Sequence, residues 1–233
     1  MLLSIITVVK DDREALLKTM KSVQDFVIGE NYEHLVWWNG KTGPDSHPLF
    51  STQKGEIFCG DDLGIFDAMN KVIILSSGDY CLFLNAGDFF EEQFSLEELK
   101  ELNGPGLLPV KYIDFFNIDR FVTIRKTIKL GIPYCHQGMI LPTKGLSFPT
   151  NRKFGGDYAA LISSGLNWPL PLMKTGQVRY DNTGISTQNR WKSDMDTNSI
   201  ISEKFGFVYA CGYFIRAFAK QVIKKFYSGW RIQ

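Results

Sequence analysis

Apolar and polar residues along the first ninety positions follow a pattern typical of strands separated by helices. Short, mainly apolar runs predict strands at residues 2–9, 34–38, 55–59 and 80–84. After the first run, and again over residues 64–75, apolar residues recur every three or four positions, which predicts amphipathic helices. Asp11 or Asp12 can cap the first of them. Strands that alternate with helices predict an α/β fold with a mainly parallel sheet and right-handed crossovers.

The second half of the chain is less regular. Residues 107–135 mix short β-like runs with basic residues, and a helix is predicted from Tyr158 to Gly165, a natural C-cap. A long helical pattern begins at about Ser202 and continues to the end. We therefore expect one main domain over residues 1–200 and a C-terminal basic, aromatic helix over residues 201–233.

Composition and charge narrow the classes of function. The chain has 233 residues, of which 44% are hydrophobic and 14% aromatic, so it can bury a full core. The formal charge of +1 gives no overall field that would attract nucleic acid, and we expect no nucleic-acid partner. The four cysteines are widely spaced, with neither CxxC nor zinc spacing. We interpret the first apolar run as a strand rather than a signal segment and expect a cytoplasmic, reducing compartment.

The chain lacks two common nucleotide-binding motifs, although one segment partly resembles the first of them. Asn39-Gly40-Lys41-Thr42 resembles the end of a phosphate-binding P-loop, but the position that requires the first glycine is Leu35, inside a predicted strand. The first strand is not followed by GxGxxG. Both observations argue against a nucleotide triphosphatase or a dinucleotide-dependent oxidoreductase.

The most informative stretch covers residues 60–88, GDDLGIFDAMNKVIILSSGDYCLFLNAGD. It combines an acidic turn, a helix and an apolar strand that stops at Asn85-Ala86-Gly87-Asp88. Open α/β sheets bind their ligands beyond the carboxyl ends of the strands, and hard cations prefer oxygen ligands there. This stretch therefore predicts a site for a cation and a phosphorylated ligand, which we interpret as a sugar nucleotide.

Seven segments, taken in order, carry a family resemblance: SIITVVKDD, YEHL, DDLGIFDAMNKV, GDYCLFLNAGD, CHQGMIL, GGDYAALISSG and NTGIST. Together they resemble the family 2 inverting glycosyltransferases of GT-A fold, most of all the bacterial enzymes that assemble exopolysaccharide, colanic-acid-type capsule or O-antigen units. The resemblance spans about residues 2–190. It implies a Rossmann-like central sheet flanked by helices, with a C-terminal helical appendage. It also implies transfer of a sugar from a nucleotide-diphospho-sugar to a hydroxyl of a glycan acceptor, one linked to a polyprenyl lipid.

The resemblance assigns roles to individual residues. Asp88 matches the last acidic residue of a DXD-like motif that holds Mg2+ or Mn2+, and Asn85 matches its first position. Asp157 matches the catalytic base of a single displacement with inversion. The resemblance also implies a set of residues that bind the donor, namely Thr7, Val9, Asp11, Asn39, Asp62, Gly64, Asp67, Asn70, Lys71, Asn85, Ala86 and Gly87. On the acceptor side the resemblance places His136 and Gln137.

Each of these assignments has a structural alternative. Asp88 and Asp157 can each serve as an N-cap for a helix that follows. Residues 67–71 carry an acid, an amide and a lysine on one helix side, as a solvated face also would. His136 can equally be a packed, hydrogen-bonded side chain.

One segment departs from the family pattern. Relatives carry an Asp-Gly-x-Ser-x-Asp-Gly type of loop after the second strand, whereas this chain has Trp38 or Asn39 at the first acidic position and Asp45 nearest the second. An amide does not specify a base N–H as a carboxylate does, because its NH2 group also donates. The alternative function is therefore a non-catalytic nucleotide-sugar or glycan-binding relative. A nucleotidyltransferase of similar fold is disfavoured because its Gly-rich, basic N-terminal signature is missing.

The C-terminal segment, residues 206–233, is rich in aromatic residues and carries Arg216, Lys220, Lys224, Lys225 and Arg231. Charges inside the apolar run disfavour a spanning helix. A basic amphipathic helix with Trp and Tyr suits an anionic membrane surface, such as the inner face of the cell membrane. A helix packed on the main domain is the alternative.

Overall fold

The computed structural model describes residues 1–40, 55–114, 117–181 and 184–230, and only the backbone of residues 185, 186 and 224–230. Its strands are β1 Leu3–Lys10, β2 Val27–Ile28, β3 Tyr32–Asn39, β4 Gly55–Cys59, β5 Tyr80–Phe83, β6 Phe89–Phe90, β7 Phe94–Ser95, β8 Gly106–Leu107, β9 Val110–Ile113, β10 Asp119–Phe121, β11 Met139–Pro142 and β12 Val178–Arg179. Its α-helices are α1 Arg13–Phe26, α2 Ile65–Leu75, α3 Leu96–Leu102, α4 Gly156–Ser163, α5 Ile185–Gln188, α6 Arg190–Phe205 and α7 Phe207–Trp230.

The central sheet has the strand order β4-β3-β1-β5-β11-β8. Its first four strands are parallel, with Ile5 opposite both His34 on β3 and Leu82 on β5. β11 runs antiparallel to β5, and β8 antiparallel to β11. The predicted strands and the mainly parallel, helix-flanked sheet are confirmed.

Helix α1 forms where the sequence supplies both a cap and an apolar stripe. The Asp12 carboxylate accepts a hydrogen bond from the Ala15 N–H at 3.0 Å and caps the first turn. Leu16, Met20 and Val23 lie on one face and are buried. The helix thereby packs on the sheet beside the carboxyl ends of β1 and β5.

A second, smaller sheet has the order β10-β9-β12-β6. In it β12 pairs with β6 in antiparallel register, so that Arg179 faces Phe89 and Val178 faces Phe90. Because β6 begins one residue after Asp88, this pairing brings the segment after β12 to the end of β5.

The C-terminal region consists of two long helices rather than one. The sequence pattern placed the helical onset at about Ser202, which is wrong, because α6 begins at Arg190 on a mostly polar stretch. It ends at Phe205, and its C-cap Gly206 has φ +90°. α7 then begins at Phe207. Buried residues of α4, α6 and α7 form a separate apolar cluster, consisting of Tyr158, Ile200, Ile201, Ala210, Tyr213 and Ala217. The division of the chain at residue 200 stays a prediction.

Candidate active site

The carboxyl ends of the four parallel strands meet at one edge of the central sheet. From β1 the chain passes to β3 and β4 on one side and then crosses to β5 on the other side of β1. The strand order therefore reverses at β1 and opens a crevice there. On one side the Asp11 N–H donates to the Asn39 carbonyl at 3.1 Å. On the other side, β5 leads into the turn at residues 85–88. The structure thus brings Asp11, Asn39 and the Asn85–Asp88 turn to a common edge.

Helix α1 holds the turn at residues 85–88 in place. Gly87 has φ +98°, a left-handed conformation that favours glycine. The buried Thr19 hydroxyl accepts the Gly87 N–H at 3.0 Å and donates to the Asp88 carbonyl at 2.6 Å. The sequence analysis did not identify Thr19. Its position on the buried face of the predicted helix is the sequence signal that could have indicated its role.

Asp88 is almost fully buried, with 3% of its surface exposed. Its Oδ1 accepts a hydrogen bond from the Asp181 backbone N–H at 2.7 Å. Burial raises the pKa of Asp88 to about 7, although that hydrogen bond, His136 and Gln137 all act to lower it. It does not cap a helix, since α3 begins at Leu96 and Ser95 is its N-cap.

Asp181 is a second carboxylate that the sequence analysis did not identify. The antiparallel register of β12 with β6 carries the chain back past Gly87 and Asp88. A Cβ built on Gly87 would lie 3.4 Å from Asp181 Oδ2, so the two segments approach closely. The Asp181 charge also contributes to the raised pKa of Asp88.

The residues at the end of β5 fit a divalent cation that a bound ligand completes. Two carboxylates, Asp88 and Asp181, lie together, and Asn85 Oδ1 is buried without a hydrogen-bond partner in the described structure. Within the described residues no group of three or more His, Cys, Asp or Glu side chains forms a complete metal cage. One or two carboxylates plus phosphate oxygens is how proteins usually hold Mg2+.

Asp157 lies in the first turn of α4 and contacts His136. The Asp157 Oδ2 is 3.2 Å from His136 Nδ1, and its Oδ1 accepts the Tyr158 N–H at 2.9 Å. Burial alone would raise the pKa of Asp157, but the hydrogen bond and charge of His136 outweigh it and hold this pKa below its usual value. The carboxylate is therefore ionised at neutral pH, as a proton acceptor must be.

His136 and Gln137 connect the two ends of the site. Asn85 Nδ2 lies 3.3 Å from His136 Nε2, so a chain of contacts runs from Asp157 through His136 to Asn85. Gln137 hydrogen-bonds the Asp88 side chain. These two neighbours, placed on the acceptor side by resemblance, thus contact both motif positions at the end of β5.

Two glycines set the position of Asp157. Gly155, with φ +68°, is the N-cap of α4, so the alternative that Asp157 caps this helix is wrong. A Cβ on Gly156 would lie 2.6 Å from the Phe66 ring. Only glycine allows α4 to begin this close to α2, and that approach places Asp157 one residue later.

The acidic segment before α2 is held by its own side chains. Trp37 Nε1 donates to Asp62 Oδ2 at 3.2 Å, and Asp62 Oδ1 accepts the Gly64 N–H at 3.0 Å. Lys71 Nζ forms an ion pair with Asp67 at 2.9 Å and lies over the Trp37 ring. The segment is thereby fixed beside the carboxyl ends of β3 and β4.

Three predicted donor residues have structural partners. The Asn70 amide bonds the backbone of Phe148 through both of its ends, at 2.7 and 2.8 Å. The buried Thr7 hydroxyl donates to the Leu84 carbonyl and contacts His34, whose pKa burial lowers to about 4. Val9 packs in an apolar cluster with Leu16, Met20, Val36 and Trp38. Their donor roles stay predictions, as does that of Asp45, which lies outside the described residues.

Sequence comparisons relate part of the chain to curated glycosyltransferases. No family model matches the chain. Two curated proteins of Mycobacterium tuberculosis, the uncharacterized glycosyltransferases Rv1514c and MT1564, are each 31% identical over 139 residues, which is 56% of this chain. The aligned region is 50% of each relative, so the chain spans about half the length of the curated relatives it matches.

Solved structures of S. aureus TarS match at the level of fold. TarS 1–349 in complex with UDP superposes with a TM-score of 0.64 at 11% identity, covering 94% of this chain and 72% of that one. TarS 1–349 in complex with UDP-GlcNAc gives a TM-score of 0.59 at 14% identity, covering 86% and 64%. The expected fold is thereby confirmed. The chain thus shares the fold of TarS and, over 56% of its length, aligns with curated proteins named as glycosyltransferases.

Proposed function

We propose that this protein is an inverting, metal-dependent glycosyltransferase of the family 2 type that acts in surface-polysaccharide assembly. It moves a sugar, of hexosyl type, from a nucleotide-diphospho-sugar to a hydroxyl of a glycan acceptor carried on a polyprenyl lipid. The observation that carries the proposal is the continuous contact chain from the ionised Asp157 through His136 to Asn85, next to the buried Asp88.

The contact chain gives each residue a role. Asp157 accepts the proton of the acceptor hydroxyl while that oxygen attacks the anomeric carbon and the bond to the diphosphate breaks. His136 orients Asp157 and keeps it ionised. Because attack occurs opposite the leaving group in one step, the configuration at the anomeric carbon inverts.

Asp88 and Asp181 would hold Mg2+ or Mn2+, with Asn85 Oδ1 as a further oxygen. A divalent cation there would neutralise charge that develops on the leaving diphosphate. Asp88 would hold the cation in its ionised form, which burial in the metal-free protein disfavours. The structures of TarS with UDP and UDP-GlcNAc support a nucleotide-diphospho-sugar as the donor class.

The test is release of nucleoside diphosphate from a panel of nucleotide sugars, with and without an acceptor glycan, and NMR of the product linkage. Asp157→Asn should lose turnover and keep nucleotide binding, because it alters only the proton acceptor. Asp88→Ala should lose both. An α-configured product from an α-linked donor would refute inversion.

The second candidate is a non-catalytic nucleotide-sugar or glycan-binding protein. It is favoured by the lack of an acid at position 38 or 39, since Trp38 or Asn39 stands where relatives of the implied family carry one. Nucleotide-sugar binding without turnover for any acceptor would support this candidate over the enzyme.

We also propose that α7 contacts a membrane surface peripherally. Its exposed face carries Phe207, Val208, Ile215 and Phe218, whose exposed fractions run from 53% to 81%. No helix in the described part of the chain is long and apolar enough to cross a membrane. Phe218→Gln should weaken flotation with anionic vesicles, and the matched change Ile74→Gln on α2 should not. Equal flotation of both variants would contradict membrane contact through α7.

A further inference from the structure

A cleft of about 350 Å3 lies outside the active site, between the C-terminal helices and the strand β9 region. Its walls carry four cationic side chains: Arg125, Arg190, Arg216 and Lys220. Arg190 comes from α6, Arg216 and Lys220 come from α7, and Arg125 comes from the segment after β10. Three separate parts of the chain therefore direct positive charge to one cavity.

The carboxylates of the cleft are already engaged. Asp194 is 7% exposed and accepts hydrogen bonds from the Tyr213 hydroxyl at 2.9 Å and from Gln221 Nε2 at 3.1 Å. Arg190 Nε lies 3.5 Å from it. The other acid, Asp114, pairs with Arg120 at 2.9 Å. The lining thus holds four cations against two carboxylates, which leaves the cleft with net positive charge.

The cations repel one another. Burial lowers the pKa of Arg125, and the charges of Arg216 and Arg190 lower it further. Burial likewise lowers the pKa of Lys220, with added repulsion from Arg125, Arg216 and Arg190. Among the described residues, neither Arg125 nor Lys220 has a carboxylate oxygen within 4 Å. An anion with several oxygens would relieve this repulsion.

The cleft lies one aromatic layer from Asp157. Tyr158, the next residue, packs in the same apolar cluster as Tyr213, which lines the cleft. The backbone N–H of Arg125 donates to the backbone carbonyl of Pro133 at 2.9 Å, in the segment that leads to His136. An anion in the cleft would therefore lie on the side of the site that carries Asp157 and His136.

We propose that this cleft binds a phosphate or diphosphate group beside the acceptor position. The proposal rests on the proposed function only in naming the neighbouring position as that of the acceptor. The cavity and its positive charge do not depend on that function. Guanidinium groups match phosphate oxygens in pairs, and lysine adds a point charge. The group belongs either to a phosphorylated acceptor or to the headgroup of an anionic lipid, because both present the same oxygens to the cleft.

The test is calorimetric titration of inorganic pyrophosphate into the full chain, with EDTA present to prevent metal-dependent binding at Asp88. Arg190→Gln/Lys220→Gln removes two of the four cations of the cleft, and we expect it to weaken binding about tenfold or more. Lys220→Gln alone should give a smaller loss. The matched control is Lys192→Gln/Lys204→Gln, two exposed changes of α6 outside the cleft, which should bind as the unmodified protein does.

Equal pyrophosphate affinity in the cleft variant and the control, or binding by neither, overturns the proposal. UDP titration with Mn2+ separates this failure from failure of the proposed function, because the cleft variant should bind UDP normally. Flotation with vesicles then identifies the source of the phosphate. If the cleft variant loses binding to phosphatidylglycerol vesicles, the group is a lipid headgroup. If it floats as the control does but binds pyrophosphate weakly, the group belongs to a phosphorylated acceptor.

Discussion

Thr19 offers a sharp test of how the site is built, because one hydroxyl joins α1 to the turn that carries Asp88. The side chain is fully buried, and its single proton goes to the Asp88 carbonyl at 2.6 Å, while its oxygen accepts the Gly87 N–H at 3.0 Å. Thr19→Val keeps the shape and removes both hydrogen bonds. The substitution therefore changes polarity at the turn without opening a cavity.

The expected loss of stability follows from the hydrogen bonds that each backbone group keeps in Thr19→Val. The Gly87 N–H still has a longer bond to the Ala15 carbonyl at 3.2 Å, whereas the Asp88 carbonyl loses the short bond from Thr19. A hydrogen bond contributes about 1 kcal/mol net, and a buried group left unpaired costs about 1–3 kcal/mol. We expect Thr19→Val to lower the free energy of unfolding by roughly 2–4 kcal/mol.

Urea denaturation measures the loss, with Thr19→Ser as the control. Serine keeps the hydroxyl and removes one methyl group, so its cost should be about 1 kcal/mol. Thr19→Val should also weaken binding of UDP with Mn2+, because the Asp88 backbone is no longer fixed. A valine variant as stable as the serine variant would refute the role assigned to the hydroxyl.

Two further predictions concern the base. His136→Gln removes the imidazole that opposes the effect of burial, so the pKa of Asp157 should rise. The transfer rate should then be lost at a higher pH on acidification. A rate–pH profile that does not move would contradict the pairing of His136 with Asp157. Gly156→Ala should destabilise the fold by about 1–3 kcal/mol, because its Cβ would lie 2.6 Å from the Phe66 ring. Gly104→Ala, whose Cβ would meet nothing closer than 3.8 Å, is the control, and equal urea midpoints for the two would count against the close contact.

The longer strands and helices of the first ninety residues were predictable because their signals are local. Asp12 supplies the cap of α1 and a stripe of apolar residues follows it, so the helix is legible from spacing alone. The strands of the parallel sheet are short apolar runs between such helices. The onset of α6 was missed because its exposed first turns are polar and present little periodicity.

The candidate site was predictable only in part. Asp88 follows a buried strand, and this position is visible in the sequence. Asp181 reaches it through the long-range pairing of β12 with β6, and two-residue strands leave almost no pattern to detect. Asp157 was found by resemblance, whereas its contact with His136 depends on how α4 packs. Part of the site therefore depends on contacts between distant segments of the chain, which local sequence patterns do not show.

The central claim is a metal-dependent nucleotide site at the end of β5. It is tested most directly by calorimetric titration of UDP, GDP, CDP and dTDP into the purified protein, with and without Mn2+, repeated on Asp88→Ala. We predict that one nucleotide binds only when the metal is present, and that Asp88→Ala abolishes this binding. Failure of all four to bind, or binding that Asp88→Ala leaves unchanged, would contradict the donor site assigned to this edge of the sheet.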